Sequence, residues 1–396
     1  MSESFRPAPD VREARPRLVG RHLARVFAVT FMSLTGVFLL LSVVPMYAVS
    51  GGAGRTGAGV VTGSLMLTTV LAELALPRLM ARFGYVPVLA AGLLLLGLPP
   101  LALVASSGMP AIIAVSLVRG FGFGVVVVVP NAMVAALAPP ERRGEALGLF
   151  GLTAGLPTVL ALPVGVWLAE EVGYTPVFAA STVVSVAALA ALPGLPRGLA
   201  AASAEGSFGI VAGLRSPGLL RPAAAFASTA MAAGVLITFL PEAVPAAGVA
   251  AAALFVQPAA TTLTRWQAGR AGDRHGAARL LAPAVALSAA GVALLVLVPD
   301  PVAVFASMVL FGAGFGVTQN ASLALMYERA PVSGYGTVSA IWNIGYDGGM
   351  GIGGVAFGIA ATHAGYPVAF GLTAVLISLT LPLAFRGRGA RPPRTP

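Results

Sequence analysis

The sequence contains no cysteine and no lysine, and its 396 residues include only three histidines. Without cysteine the chain can have no disulfide, thiolate metal site or cysteine nucleophile. His22, His275 and His363 are far apart in the sequence, so a histidine metal cluster is not expected. Because there is no acidic cluster and no nucleotide-binding loop either, we predict no cofactor, and a membrane-embedded enzyme is disfavoured.

Charged residues are also scarce, at 10% of the chain, whereas apolar residues make up 57% and the mean hydropathy is +0.90. This composition lies far outside the range of soluble globular proteins and predicts that a lipid bilayer surrounds the chain. A helix that crosses the hydrocarbon core needs about 20 apolar residues. The sequence contains twelve stretches of about that length, which predicts an all-α membrane protein with twelve transmembrane helices.

The predicted spans are separated by short polar breaks. They are 26–49, 57–80, 86–105, 110–137, 144–169, 174–194, 222–243, 248–267, 278–298, 302–326, 336–361 and 366–385.

The 24 basic residues are all arginine, and the net charge of +10 raises the question of a nucleic-acid partner. Their distribution argues against one, because they cluster in both terminal tails and in every second loop. The arginines of those loops are Arg82, Arg142, Arg143, Arg270, Arg274, Arg279 and Arg329, whereas the other loops carry only Arg55. By the positive-inside rule we predict a multi-pass protein of the cytoplasmic membrane with both termini in the cytoplasm.

The two halves of the sequence are similar at a constant offset of 192 residues (276 minus 84). This offset superimposes Gly84 on Gly276 and Gly173 on Gly365, and it maps residues 120–125 onto 312–317. Because each half crosses the membrane an even number of times, the two repeats have the same orientation.

The repeat and the arginine-rich segments predict five regions. They are a cytoplasmic N-terminal tail (1–25), an N-terminal six-helix bundle (26–194), a cytoplasmic connector (195–221), a C-terminal six-helix bundle (222–385) and a cytoplasmic C-terminal tail (386–396).

Glycines recur at four-residue spacing inside several predicted helices, where they let helix backbones approach closely. We interpret them as packing surfaces that allow one half to rock against the other. They are Gly120, Gly124, Gly312, Gly316, Gly345, Gly349 and Gly353.

The segment Gly269-Arg-Ala-Gly-Asp273-Arg274-His-Gly276 resembles the GxxxDRxG signature of the major facilitator superfamily. The first-half copy keeps Arg82 and Gly84 but lacks the leading glycine and the aspartate. The residues around Arg119 and the loop that follows resemble two further signatures of the family. The resemblance covers nearly the whole chain. It implies two parallel six-helix repeats around a central cavity, with Gly269, Asp273, Arg274, Gly276, Arg82 and Gly84 as a gating motif.

Within the family the chain is similar to bacterial efflux permeases. A degraded form of the glycine-proline signature of drug antiporters occurs as Gly151-Leu-Thr-Ala-Gly155-Leu-Pro157. The resemblance implies a secondary transporter, active as a monomer, that exports a small organic molecule or drug by alternating access with protons as coupling ion. Because few charges lie inside the helices, we expect a weakly polar substrate.

Three ionisable residues inside predicted helices are candidates for proton coupling, because such groups are costly in a membrane and are usually functional. Arg119 lies well inside the fourth span, where it either binds substrate, takes part in coupling or forms a structural pair. Asp347 is near the middle of the eleventh span, where burial disfavours its charged form and suits proton binding and release. Glu73 is a gate charge or a residue that extends toward the headgroups.

Polar and aromatic side chains of the same depth are candidates for the substrate cavity, although they could equally hold helices together. They are Arg119, Asn131, Gln319, Asn320, Trp342, Asn343 and Tyr346.

Two other functions stay open at this stage. An uptake permease for a small metabolite would differ from an exporter only in the direction of flux. A non-transporting membrane receptor would show no flux with any substrate.

Overall fold

The computed structural model describes residues 20–139, 142–196, 210–331 and 334–385. These residues are almost entirely helical, and no strand occurs among them. The helices are α1 (Arg21–Leu41), α2 (Val43–Ser50), α3 (Gly54–Phe83), α4 (Tyr85–Gly97), α5 (Ala102–Ala105), α6 (Met109–Leu137), α7 (Arg143–Glu171), α8 (Tyr174–Ala187), α9 (Ile210–Leu214), α10 (Pro217–Ala243), α11 (Ala247–His275), α12 (Ala277–Leu294), α13 (Pro301–Glu328), α14 (Tyr335–Ser378) and α15 (Leu381–Phe385).

Ten helical spans of the described residues are long and apolar enough to cross a membrane. One of them, Tyr335–Phe385, has 51 residues and contains two crossings, because α14 continues through a kink at Gly365. The 29-residue helix α11 supplies a further crossing and brings the number to the predicted twelve. The predicted all-α membrane fold is therefore confirmed.

The largest differences from the predicted spans are at the polar ends of two helices. α10 begins at Pro217, a favoured first helical residue, rather than at 222. α11 continues to His275 rather than ending at 267. An apolar stretch marks only the part of a helix that lies in hydrocarbon. The length of the stretch therefore underestimates the length of a helix that extends beyond the hydrocarbon.

The first crossing is interrupted at Ser42, between α1 and α2. Pro45 has no backbone N–H, so the carbonyl of Leu41 loses its helical partner there. The helix resumes with a hydrogen bond of 3.1 Å from the Met46 N–H to the Ser42 carbonyl. The Ser42 side chain is turned toward α10, where its hydroxyl contacts the other half of the molecule.

Four glycines hold the short turns between consecutive antiparallel helices. Gly84, Gly173, Gly276 and Gly365 have φ values of 81°, 101°, 84° and 80°, in the left-handed region that favours glycine. Gly84 is equivalent to Gly276, and Gly173 to Gly365, by the predicted offset. The internal repeat is therefore a repeat of local backbone geometry as well as of sequence.

The spaced glycines pack helices within each half. The backbone of Gly120 contacts α3 at Leu65, and that of Gly312 contacts α11 at Gln257, the equivalent position. The Thr69 hydroxyl donates to the Gly120 carbonyl at 3.0 Å, and the Thr261 hydroxyl to the Gly312 carbonyl at 3.1 Å.

The predicted close helix packing of these glycines is confirmed, but their neighbours belong to their own half, so a part in rocking stays a prediction. Gly349 and Gly353 pack against Ala227 and Met231 of α10, in their own half. The reason is geometric, because a helix has several faces and a four-residue spacing does not say which neighbour each face meets.

Several predicted regions lie partly outside the described residues. These are most of the N-terminal tail, the middle of the connector and the whole C-terminal tail, so the five predicted region boundaries stay predictions.

Candidate functional site

The two halves meet along α3 and α14, through glycines that sequence analysis did not single out. A Cβ atom added at Gly59 would clash with the Gly354 carbonyl, and one at Gly63 would lie 2.6 Å from the Val355 side chain. One added at Gly351 would lie 2.9 Å from Met66 Cβ. The two helix backbones are therefore as close as glycine allows.

Four hydrogen bonds between the halves accompany this contact, all toward the end of the bundle remote from the described chain ends. They are Ser42 Oγ to the Ile237 carbonyl (2.6 Å), Thr62 Oγ1 with Thr238 Oγ1 (2.8 Å), Arg55 Nη1 to the Ala361 carbonyl (3.0 Å) and Thr56 Oγ1 with Thr362 Oγ1 (3.0 Å). We call these four bonds and the glycine contacts the distal seal.

Arg55 completes the seal at its outer margin. Its guanidinium lies 4.4 Å from the centre of the Tyr366 ring, a cation–π contact between the halves. A pocket of about 360 Å³ lies beside it, lined by residues of both halves, including Glu242. The one arginine of the arginine-poor loops therefore helps to close this end of the molecule.

Glu73 and Asp347 face each other across the same interface, about two helical turns beyond the glycine contacts. Each carboxyl interacts electrostatically with the other, and neither interacts with a cation of the described residues. Asp347 is 5% exposed. Neither carboxylate oxygen of Glu73 is accessible to solvent, and neither accepts a hydrogen bond from a described backbone or side-chain donor.

Two carboxyl groups in contact in a poorly solvated site cannot both be ionised without strong repulsion. They can hydrogen bond to each other only if one of them carries a proton, and the pair then titrates as a unit. One carboxyl belongs to each half. The acid pair, Glu73 and Asp347, thus places one carboxyl from each half at the contact between the halves.

Arg119 does not join the acid pair. It is on α6, only 1% exposed, and none of its three side-chain nitrogens has a hydrogen-bond partner among the described residues. It lies behind Thr62 of the distal seal, against α1 and α3. In this conformation the seal closes it off, so Arg119 and the acid pair are separate features.

Aromatic rings of α10, α13 and α14 form a near-parallel array in the C-terminal half. Phe226 stacks on Trp342 with centroids 4.4 Å apart and an interplanar angle of 10°. Tyr346 lies 5.8 Å from Phe226 at 18° and 6.2 Å from Phe315 at 19°. Trp342 and Tyr346 are half-buried, and the Trp342 indole donates to Ser322 Oγ at 3.1 Å.

The Arg265 guanidinium on α11 interacts electrostatically with the Tyr346 side chain on α14. The Arg265 side chain is exposed. Arg265 therefore relates α11 to the part of α14 that carries the aromatic array. Tyr346 is next to Asp347 in the sequence, so the same helix carries one member of the acid pair.

The other predicted cavity residues differ in exposure. Gln319 is buried, Asn320 and Asn343 are half-buried, and Asn131 is exposed on α6. Asn320 is near Gly269 of α11, the first residue of the predicted gating motif. Of the predicted set, the structure brings together Glu73 with Asp347, Tyr346 with Trp342, and Asn320 with Gly269.

A family model described as Major Facilitator Superfamily matches residues 26–256 and 222–396, which together span nearly the whole chain. The chain belongs to the major facilitator superfamily. It is a multi-pass membrane transport protein, and the fold expected from the resemblance is confirmed.

Solved structures of the same superfamily share this fold. A mutant of the nucleoside transporter NupG matches with a TM-score of 0.74 and 15% identity, over 92% of this chain and 99% of that one. A bacterial homologue of the human lysosomal transporter Spinster, in an inward-facing and unoccupied conformation, matches with a TM-score of 0.72 and 13% identity, over 92% and 95%. A search of curated proteins finds no match.

The predicted gating motif, Gly269 to Gly276, occupies the last two turns of α11 and the glycine that follows them. Gly276 ends α11 with a left-handed backbone, as Gly84 ends α3. Arg274 and Arg82 are both exposed, and Arg82 lies 5.2 Å from the Phe83 ring. The Asp273 side chain lies outside what the structure describes, so a role in gating stays a prediction.

Sequence reasoning missed the hydroxyl contacts of the distal seal. Thr62, Thr238 and Ser42 are ordinary residues of apolar helices, and no spacing relates one half to the other at these positions. Arg55 was the single signal available, since it stands alone in the arginine-poor loops.

Proposed function

We propose that this protein is a proton-coupled secondary transporter that exports a small, weakly polar organic compound by alternating access. The observation that supports this most directly is the acid pair, Glu73 and Asp347. Its two carboxyls come from different halves, so a proton bound between them stabilises one arrangement of the halves over the other. When water reaches the pair from the open side of the protein, the carboxyls become solvated and the proton is released.

The distal seal bears on which side of the membrane this conformation is closed to. If both termini are cytoplasmic, as the arginine distribution predicts, the distal end is the outer end and the protein is closed to the outside. The protonated acid pair then belongs to the inward-facing state. Proton release to the cytoplasm from this state, followed by substrate loading, is the order of events that antiport requires.

The aromatic array and Arg265 are the proposed walls of the substrate cavity. Near-parallel rings offer a flat apolar surface, and the Arg265 guanidinium and Asn343 offer hydrogen bonds at its edge. These groups suit a compound with an apolar body and a few polar atoms. The resemblance to efflux permeases supports the direction of export.

Everted membrane vesicles test the proposal, after a susceptibility screen in an efflux-deficient host has identified a compound. In vesicles acidified inside by respiration, addition of the compound should release protons, seen as recovery of a pH-sensitive dye. Glu73→Gln and Asp347→Asn should each abolish the recovery, because an amide cannot cycle a proton. Glu171→Gln, an exposed acid at the end of α7, is the matched control.

Two outcomes would contradict parts of the proposal. Accumulation of the compound against its gradient by Asp347→Asn, with normal pH dependence, would remove the acid pair from coupling. Compound-driven proton movement only in right-side-out vesicles would identify an uptake permease instead of an exporter.

A further inference from the structure

Arg119 is a buried cation without a counter-ion among the described residues. Its guanidinium is removed from solvent by burial, and no acidic side chain of the described residues interacts with it electrostatically. The side chain is 1% exposed, and no residue that the structure describes forms a hydrogen bond with Nε, Nη1 or Nη2. A guanidinium stays charged in proteins and carries five N–H donors, so such a burial is costly unless something neutralises the charge.

A small cavity adjoins this guanidinium. Its volume of about 10 Å³ suits a single particle of about the size of a water molecule. The lining is mostly apolar and comes from α1, α2, α3 and α6: Leu40, Leu41, Val44, Pro45, Val61, Thr62, Leu65, Ser116 and Arg119.

The two hydroxyl groups of the lining are already engaged. The Ser116 hydroxyl donates to the Ile112 carbonyl at 2.8 Å, and Thr62 Oγ1 is bonded to Thr238 Oγ1 at 2.8 Å. Both hydroxyl oxygens can still accept a hydrogen bond, and the Leu41 carbonyl freed by Pro45 belongs to the same lining, so a water molecule can find acceptors there. Water would leave the charge of Arg119 without a counter-charge, whereas an anion would receive hydrogen bonds from Arg119 and neutralise its charge.

We propose that Arg119 and this cavity form a binding site for one small monovalent inorganic anion, such as chloride. The distal seal covers the site through Thr62, so the anion is enclosed while the two halves are closed at that end. The site is independent of the acid pair and of the direction of transport. It also assigns a counter-ion to Arg119, which the acid pair does not supply.

The size of the cavity excludes large anions. Gluconate and sulfate far exceed the space that the apolar lining leaves, whereas chloride is only somewhat larger than a water molecule and requires a small displacement of the lining. A ligand that binds the folded protein stabilises it in proportion to the logarithm of its concentration above the dissociation constant.

The test measures thermal unfolding of the purified full-length protein in detergent, with chloride replacing gluconate at constant ionic strength. Chloride should raise the melting temperature with the logarithm of its concentration, by about 2 °C for each tenfold increase above the dissociation constant. Arg119→Met should lose this chloride dependence while Arg21→Gln, an exposed arginine at the first residue of α1, keeps it. Val61→Ile, which fills the cavity without touching the charge, should also lose it.

The outcomes are distinct. No chloride dependence in the wild-type protein would show that water, not an anion, solvates Arg119. An equal dependence in Arg119→Met would show a general salt effect. If Arg119→Met does not fold, Val61→Ile decides alone, since a chloride effect that survives filling of the cavity overturns the proposal. None of these results depends on whether protons drive transport.

Discussion

The four turn glycines show how a single residue type decides the connection between two membrane helices. At Gly84 and Gly276 the backbone has a positive φ that a Cβ atom would strain, and at Gly276 nothing lies within 4 Å of the place that the Cβ atom would take. The requirement is therefore conformational and not one of space. Gly148 in α7 is also free of neighbours, but it is helical, and there glycine only weakens the helix.

Alanine substitution separates these two cases. Gly84→Ala and Gly276→Ala should each destabilise the protein by about 1–2 kcal/mol, because alanine is strained at positive φ. Gly148→Ala should leave stability unchanged or raise it by up to about 1 kcal/mol. Thermal unfolding in detergent measures both, and equal effects at Gly276 and Gly148 would contradict the conformational reading.

Residues could be predicted one at a time, but their partners could not. Glu73 and Asp347 stood out in the sequence because acids are rare inside apolar helices. Their pairing could not be read from it, since they belong to different repeats and the 192-residue offset relates each to other positions. Arg119 was predicted as a buried cation for the same reason, and its isolation became visible only in the structure.

At the scale of helices, the length of the apolar stretches predicted the crossings well, because the thickness of the bilayer sets the number of apolar residues that a crossing needs. Interruptions within a crossing were not predicted. The break at Ser42 depends on Pro45, but prolines inside α3, α6 and α7 leave those helices continuous. The outcome depends on whether neighbouring helices satisfy the freed carbonyl, which a single segment does not reveal.

The repeat predicts that equivalent interhelical hydrogen bonds have equivalent strength. Thr69→Val and Thr261→Val each remove a hydroxyl that donates to a glycine carbonyl of the neighbouring helix. Each should cost about 0.6–1.7 kcal/mol, the range for such bonds between membrane helices. Thermal unfolding of both single variants and the double variant gives the comparison, and additive effects are expected because the two sites are in different halves.

At the scale of the whole molecule, the absence of cysteine makes every single-cysteine variant a clean reporter. Ser107→Cys, in the distal loop before α6, should react with an impermeant maleimide in intact cells. Arg279→Cys, exposed near the start of α12, should react only after permeabilisation. The reverse pattern would place the termini outside and invert the assignment of the distal seal.

A cysteine pair tests whether the halves must separate at the distal end. Thr56 Oγ1 and Thr362 Oγ1 are 3.0 Å apart, so Thr56→Cys with Thr362→Cys places two thiols within reach of a disulfide. Oxidation should stop transport and reduction should restore it. Each single variant serves as the control, and full transport by the oxidised double variant would mean that this contact does not open during the cycle.

The composition of the distal seal bears on the speed of the cycle. Its hydrogen bonds join neutral hydroxyls or an arginine to neutral acceptors, and such bonds in membranes contribute about 0.6 kcal/mol each. Breaking four of them removes about 2.4 kcal/mol, a factor of only about 50 in the population of the two states. Because this free-energy difference is small, thermal fluctuations often bring the protein into the opposite state. Ligand release, and not the opening of the distal seal, would therefore set the turnover time.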